Sequence, residues 1–217
     1  AALADPWAAR IDGYAEDARG WVAAAARLAP CIWLAGHSEG GLVALVAAQE
    51  PPANLCGLIL LSTPGSPLGE ILRAQLAANP ATAPLSAEID AVLAQLEAGA
   101  LVPEDQIPPG LDLLFGPQVQ PYLIDILSRD PVALAQNYDG PALVVQGARD
   151  LQVGPEDAER LVAALSGAEA LPLPEATHML KPDQPGLPMA TYLNPTLPLD
   201  PALVPGIIAF LDRHPPR

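Results

Sequence analysis

The sequence is constrained most by residues 36–40, which read Gly-His-Ser-Glu-Gly. This segment follows an apolar run at 31–35 and leads into a small, apolar segment that ends before Pro51. A serine between two glycines, where a buried strand turns into a helix, is the context that a nucleophile elbow requires. In so tight a turn, the residues two positions before and after the serine must lack bulky side chains, and glycine meets that demand. The alternative is an ordinary turn with an unreactive serine.

The overall composition excludes several classes of partner. A chain of 217 residues is long enough for one well-filled hydrophobic core. Its net charge is −15 and its only lysine is Lys181, so its surface should repel nucleic acid and anionic lipid. No stretch of about 18 residues is free of charges and helix breakers in the manner of a membrane span. We therefore expect neither a nucleic-acid partner nor a membrane span.

Cysteine and histidine usage gives no indication of a metal or cofactor. No pair of these residues has metal-ligand spacing, and no glycine-rich loop of the phosphate-binding type is present. The two cysteines, Cys31 and Cys56, each stand at the start of a predicted strand. A disulfide is possible if these strands are parallel neighbours, but the apolar settings favour reduced thiols. We expect no cofactor and no bound metal.

Strand and helix patterns alternate along most of the chain. The predicted elements are helix 12–29, strand 31–36, a helix ending at 49, strand 55–62, strand 141–147, helix 155–166, strand 168–176 and helix 201–212. This order indicates a parallel α/β sheet with right-handed crossovers.

One segment interrupts the alternation and divides the chain. Residues 64–139 contain no strand pattern, only helical patterns at 68–78, 86–98, 118–128 and 131–137 separated by prolines. The predicted organisation is a first core part at 1–63, a helical insertion at 64–139 and a second core part at 140–217. Within the last part, the proline-rich residues 181–201 are expected to form an irregular surface loop.

A serine nucleophile needs a base, and the base needs an orienting group. Of the three histidines, His37 adjoins the serine on the sharp turn and should point away from the attacking oxygen, while His214 lies in the terminal tail. His178 follows a predicted strand and is the candidate base. Asp150 ends another predicted strand between Ser38 and His178, and is the candidate acid. A lone aspartate at such a place can also be a simple turn residue.

Three segments together resemble the α/β-hydrolase superfamily: 36–40, Val-Val-Gln-Gly-Ala-Arg-Asp at 144–150, and Ala-Thr-His-Met-Leu-Lys at 176–181. Their order, Ser, Asp, His, is the one found in that superfamily. The resemblance implies an α/β-hydrolase fold, with helices on both faces of a parallel sheet and a helical cap at the insertion. It also implies a serine hydrolase of the carboxylesterase or acyl-peptidase type. Relatives that cleave haloalkanes or epoxides carry aspartate at the elbow, so serine argues against both activities.

The resemblance assigns a role to each candidate residue. Ser38 would attack the acyl carbon, His178 would shuttle the proton, and Asp150 would hold the tautomer of the imidazole. The backbone N–H of Glu39 would be one oxyanion donor, while the second comes from a loop after the third strand in this superfamily. No strand pattern precedes residue 12, so we expect the N-terminal strands of the fold to be absent. Strand 31–36 would then be a sheet edge, and we expect self-association and weak activity.

Three functions remain open on the sequence. The leading one is hydrolysis of a small acyl ester, or of a thioester or amide, through an acyl-enzyme. A peptidase that removes an N-terminal residue would need an acidic group for the substrate amine, for which Glu39, Glu70 and Asp125 are candidates by residue type. A non-catalytic or incomplete hydrolase would act as a binding module through its sheet edge or its cap.

Overall fold

The computed structural model describes residues 9–187 and 189–215. These residues form two compact units. One contains the described residues of Ala1–Tyr14 together with Ser66–Asp130, and the other contains Ala15–Gly65 and the described residues of Pro131–Arg217. The strands of the described residues all lie in the second unit.

The second unit is built on a four-stranded parallel sheet with the order β1-β2-β3-β4. Its strands are β1 (Ile32–His37), β2 (Leu55–Leu61), β3 (Ala142–Gly147) and β4 (Glu169–Leu173). The central strands β2 and β3 are continuous apolar runs because both of their faces are covered. The predicted parallel α/β sheet is confirmed, and β1 lies at one edge of the described sheet.

The helices of the second unit pack on both faces of this sheet. They are α2 (Glu39–Ala47), α7 (Pro131–Gln136), α8 (Pro155–Ala164), α9 (Ala190–Leu193) and α10 (Leu203–Arg213), and α1 (Ile11–Ala25) also ends in this unit. Leu58 and Val144 pack in one buried cluster with side chains from α2, α7 and α8. Their neighbours Ile59 and Val145 pack in a second cluster with side chains from α10. Successive strand residues thus serve opposite layers of the core.

The first unit is helical. Its helices are α3 (Leu68–Ala78), α4 (Ser86–Glu97), α5 (Asp112–Phe115) and α6 (Gln120–Leu127), with the start of α1. Arg73 on α3 donates two hydrogen bonds, of 2.6 and 2.9 Å, to Glu97 on α4. The buried side chain of Gln120 bonds both backbone groups of Val102 and the carbonyl of Phe115, which ties the loops to α6. No helix in the described ranges is long and apolar enough to cross a membrane.

The expectation of reduced cysteines is wrong, because Cys31 and Cys56 form a disulfide. Ile32 pairs with Leu55 and Trp33 with Gly57, so Cys56 stands at an irregularity in the register, and the two Cα atoms are 5.4 Å apart. Both cysteines are half-buried at the start of neighbouring strands rather than enclosed in the core.

Several element boundaries also differ from those predicted. Helix α1 ends at Ala25 and continues only as turns, whereas the sequence pattern predicted a helix to residue 29. Strand β4 ends at Leu173 because residues 174–177 turn back toward β3. The loop predicted at 181–201 contains the short helix α9, and α5 was not predicted at all.

Candidate active site

Ser38 stands on a strained turn between β1 and α2. Its backbone has φ 54° and ψ −123°, a conformation that residues other than glycine rarely adopt. Its N–H donates to the Leu61 carbonyl at 2.8 Å, and its own carbonyl accepts from the N–H of Gly41 at 2.9 Å. These bonds fix the serine at the carboxyl end of the central sheet, and its side chain remains partly accessible.

Crowding was predicted to require glycine on both sides of Ser38, and the structure shows this requirement at only one of the two positions. A Cβ on Gly36 would lie 2.1 Å from the carbonyl oxygen of Gly40, so the first glycine is required by close backbone contact. A Cβ on Gly40 would meet nothing within 4 Å. The crowded position is instead Gly41, where a Cβ would lie 1.9 Å from the side chain of Thr63. The argument that Gly40 must lack a side chain was therefore wrong.

Asp150 lies just after β3 and is buried among hydrogen-bond donors. Its Oδ1 accepts from the backbone N–H groups of Gln152 at 2.8 Å and Val153 at 3.0 Å. Its Oδ2 accepts from the side-chain amide of Gln146 at 3.3 Å and faces Nδ1 of His178 at 2.8 Å. These four contacts fix the orientation of the Asp150 side chain.

His178 lies in the turn after β4 and is buried beside Asp150. The turn is fixed by hydrogen bonds from the Thr177 N–H to the Lys181 carbonyl and from the Arg149 N–H to the Ala176 carbonyl, each 2.9 Å long. Gly147 permits the second contact, since a Cβ there would lie 2.3 Å from the Ala176 oxygen. Asp150 and His178, which are 28 residues apart in sequence, are thereby brought together.

The structure places Ser38, Asp150 and His178 after β1, β3 and β4. All three therefore lie at the carboxyl ends of the strands of one parallel sheet. Among the described residues, the hydrogen bonds join His178 to Asp150, and none joins the hydroxyl of Ser38 to His178. Catalytic hydrogen bonds to a nucleophile are commonly long in the absence of substrate and shorten when it binds. Glu39 follows the serine as the first residue of α2.

Three residues near the site were not predicted. Nε2 of His37 donates to the backbone carbonyl of His178 at 2.7 Å. Gln146 bonds the acid, and also the Val153 carbonyl at 2.8 Å. Burial raises the pKa of Tyr192, and the negative charge of Asp150 raises it further. The contact of His37 joins residues 141 apart in sequence, so no local pattern signals it, whereas Gln146 lies only four residues before Asp150.

The remaining candidates lie elsewhere. The ring of His214 packs against Trp33 and Phe210 at the end of α10, so this residue is packed in the second unit rather than belonging to a free tail. Of the acidic residues considered for a substrate amine, Glu70 and Asp125 belong to the first unit. Within residues 9–187 and 189–215, no group of three or more side chains is arranged to hold a metal ion.

Comparison with known proteins finds one curated relative. The chain is 30% identical over 138 residues to Esterase EstD of Thermotoga maritima, a match that covers 64% of this chain and 32% of EstD. The chain thus spans about a third of the length of this relative. No family model matches the chain.

Many solved structures have a similar fold. A thermophilic esterase from Thermogutta terrifontis has a TM-score of 0.55 and 22% identity, over 95% of this chain and 74% of the esterase. An enol-lactonase from Burkholderia xenovorans has a TM-score of 0.54 and 20% identity, over 97% of this chain and 75% of the lactonase. A putative non-heme bromoperoxidase from Mycobacterium tuberculosis has a TM-score of 0.57 and 16% identity, over 96% and 76% of the two chains. At these identities the similarity establishes the fold.

Proposed function

The chain has the α/β-hydrolase fold, and from this premise we propose that it is a serine hydrolase that cleaves carboxylic esters through an acyl-enzyme. The observation that carries the proposal is the buried hydrogen bond between His178 and Asp150. It lies at the carboxyl ends of the sheet strands, where the strained Ser38 also stands. A base and its orienting acid beside a serine are the parts that nucleophilic catalysis needs.

The hydrogen bond to Asp150 determines which nitrogen of His178 acts as the base. A carboxylate oxygen can only accept, so Nδ1 must carry the proton in this 2.8 Å contact. In the neutral ring, Nε2 then holds the free electron pair. This is the tautomer that accepts the proton of a serine hydroxyl.

The reaction proceeds in two halves. The oxygen of Ser38 attacks the acyl carbon while His178 takes the hydroxyl proton, and the tetrahedral intermediate places its negative oxygen near the N–H of Glu39. His178 then gives the proton to the leaving alcohol, and the C–O bond of the ester breaks. In the second half, water loses a proton to His178 and attacks the acyl-enzyme, and His178 then returns the proton to the Ser38 oxygen as the bond to the acyl group breaks and the acid leaves.

Asp150 stabilises the imidazolium that forms in each half. Its negative charge is buried and is held by donors on both oxygens, so it does not need to reorganise when His178 becomes positive. In this mechanism the acid orients the imidazole and does not receive the proton itself.

Ester cleavage is the chemistry indicated by the names of EstD, the Thermogutta protein and the enol-lactonase, but not by that of the bromoperoxidase. EstD and the Thermogutta protein are described as esterases, and a lactone is a cyclic ester. We extend this class of substrate to the present chain, with small acyl esters as the first choice. We also propose that the helices of residues 64–139 that belong to the first unit serve as a cap for the substrate, and that the edge strand β1 mediates self-association.

Turnover of p-nitrophenyl acetate and p-nitrophenyl butyrate tests the proposal. We expect hydrolysis by the wild type and a loss of at least about 10⁴-fold in kcat for Ser38→Ala. Ser166→Ala is the control, since Ser166 is an exposed serine of the same unit, and it should match the wild type. Equal rates for the wild type and Ser38→Ala would contradict the proposal, and a wild type without activity would favour a binding module.

A further inference from the structure

His37 makes an unusual long-range contact at the elbow. It is the last residue of β1, directly before Ser38, and its Nε2 lies 2.7 Å from the backbone oxygen of His178. The two imidazole rings also pack together, with centroids 4.8 Å apart and planes inclined by 54°. The partners are separated by 141 residues of sequence. At 2.7 Å the bond is at the short end of the normal range for N–H···O contacts.

The chemistry of the two partners fixes the direction of this bond. A backbone carbonyl only accepts, so Nε2 of His37 must carry a proton. The proton is present on Nε2 both in one neutral tautomer and in the imidazolium. The bond is therefore retained in either charge state, and it leaves Nε2 of His37 with no electron pair to act as a second base.

The other bonds that hold His178 do not reach the elbow. Its side chain is held by Asp150 after β3, and its turn is held by Arg149, by bonds within residues 175–183 and by the N–H of Asp200, which donates to the Leu180 carbonyl. Ser38 directly follows β1 and is tied to β2 through its N–H. In the part of the chain that the structure describes, the bond from His37 is the one that joins the elbow to His178.

We infer that His37 is a positioning residue that fixes the main chain of His178 relative to Ser38. This inference rests on the proposed serine mechanism, in which Nε2 of His178 must come within hydrogen-bond reach of the serine oxygen. The bonds of Arg149 and Asp150 fix the His178 turn relative to β3, whereas the bond from His37 fixes it relative to β1. A displacement of about 1 Å at a reacting group can cost about 100-fold in rate.

Two substitutions separate the donated hydrogen bond from the bulk of the ring. His37→Gln keeps an N–H donor at a similar reach, and His37→Phe keeps an aromatic ring but has no donor. We expect His37→Phe to lower kcat about 10- to 100-fold with little change in KM, and His37→Gln to restore most of the loss. His214→Phe is the matched control, because it likewise keeps a ring and removes a ring nitrogen that bonds a backbone carbonyl, that of Phe210 at the end of α10. It should leave kcat unchanged.

Amide hydrogen exchange over residues 176–182 gives a second readout that does not depend on activity. We expect faster exchange in His37→Phe than in His37→Gln, with thermal unfolding of both variants measured alongside. Equal kcat and equal exchange in the two variants would overturn the inference, whether both resemble the wild type or both are impaired. If the wild type hydrolyses no ester, the proposed function fails, and the exchange comparison alone decides whether His37 holds the turn.

Discussion

Replacing Asp150 by asparagine tests how the acid of the site works, because the structure dictates how the new amide must orient. The backbone N–H groups of Gln152 and Val153 point at Oδ1 from 2.8 and 3.0 Å. The asparagine must keep its carbonyl oxygen there, since an NH₂ group cannot accept these bonds. The NH₂ group then takes the place of Oδ2, where it faces Nδ1 of His178 and the side-chain amide of Gln146.

This orientation reverses the tautomer of His178. The asparagine NH₂ donates to Nδ1, so the single proton of the neutral ring moves to Nε2 and no electron pair remains for Ser38. A reversal of this kind costs about 10⁴-fold in kcat in a Ser-His-Asp protease, which is about 5.4 kcal/mol of transition-state stabilisation. The effect on folding should be much smaller, about 1 to 3 kcal/mol, because the two backbone bonds persist and only the contact with Gln146 becomes unfavourable.

Steady-state hydrolysis of p-nitrophenyl butyrate and urea unfolding, applied to the same preparations, measure both quantities. Asp157→Asn is the matched control, since Asp157 is also buried in the same unit but accepts bonds from the N–H groups of Gly65 and Gly154. We expect it to lose stability while keeping kcat within about tenfold of the wild type. An Asp150→Asn variant with nearly wild-type kcat would refute the tautomer argument, and equal losses of kcat in both variants would point to general loosening.

Three further changes test the fold around the site. Reducing the Cys31–Cys56 disulfide, whose partners are 25 residues apart, should lower the free energy of unfolding by about 3.5 kcal/mol; urea unfolding with and without dithiothreitol measures this, and identical midpoints would contradict it. Gly36→Ala places a Cβ 2.1 Å from a backbone oxygen and should lower the free energy of unfolding by about 3 kcal/mol or more. Gly13→Ala, whose Cβ would meet no atom within 4 Å, should instead stabilise α1 by about 0.5 kcal/mol. Urea unfolding measures both changes, and a similar small effect at the two positions would refute the clash at Gly36. Burial raises the pKa of Tyr138 from 10.0 to about 12, so stability that is full below pH 10.0 should fall as the pH rises toward 12; phenolate absorbance of the wild type against Tyr138→Phe measures the titration, and a midpoint near 10.0 would contradict it.

Much of the fold follows from patterns that are local in the sequence. The apolar runs of β2 and β3 predict buried parallel strands because both faces of each strand are covered. The serine turn is also predictable from local sequence, because the crowding at Gly36 arises from Gly40, only four residues away. Asp150 and His178 were predicted from their places after strands, and parallel strands bring such places to one edge of the sheet.

The features that were missed depend on contacts between distant segments. Whether Cys31 and Cys56 join depends on the register of β1 against β2, which apolar composition does not specify. The bond from His37 exists because the turn after β4 returns to the elbow, and no pattern near residue 37 indicates that path. The helix α9 lies among prolines that indicate a loop, and it is too short for a periodic pattern.

The proposed mechanism requires Ser38 to be an activated nucleophile. Treatment with a fluorophosphonate probe, followed by digestion and mass spectrometry, tests it directly because only an activated hydroxyl reacts at a useful rate. We predict one adduct, on Ser38, with the reaction lost in Ser38→Ala and strongly slowed in His178→Ala. The absence of an adduct on folded protein, or an adduct on another serine that persists in Ser38→Ala, would contradict the account.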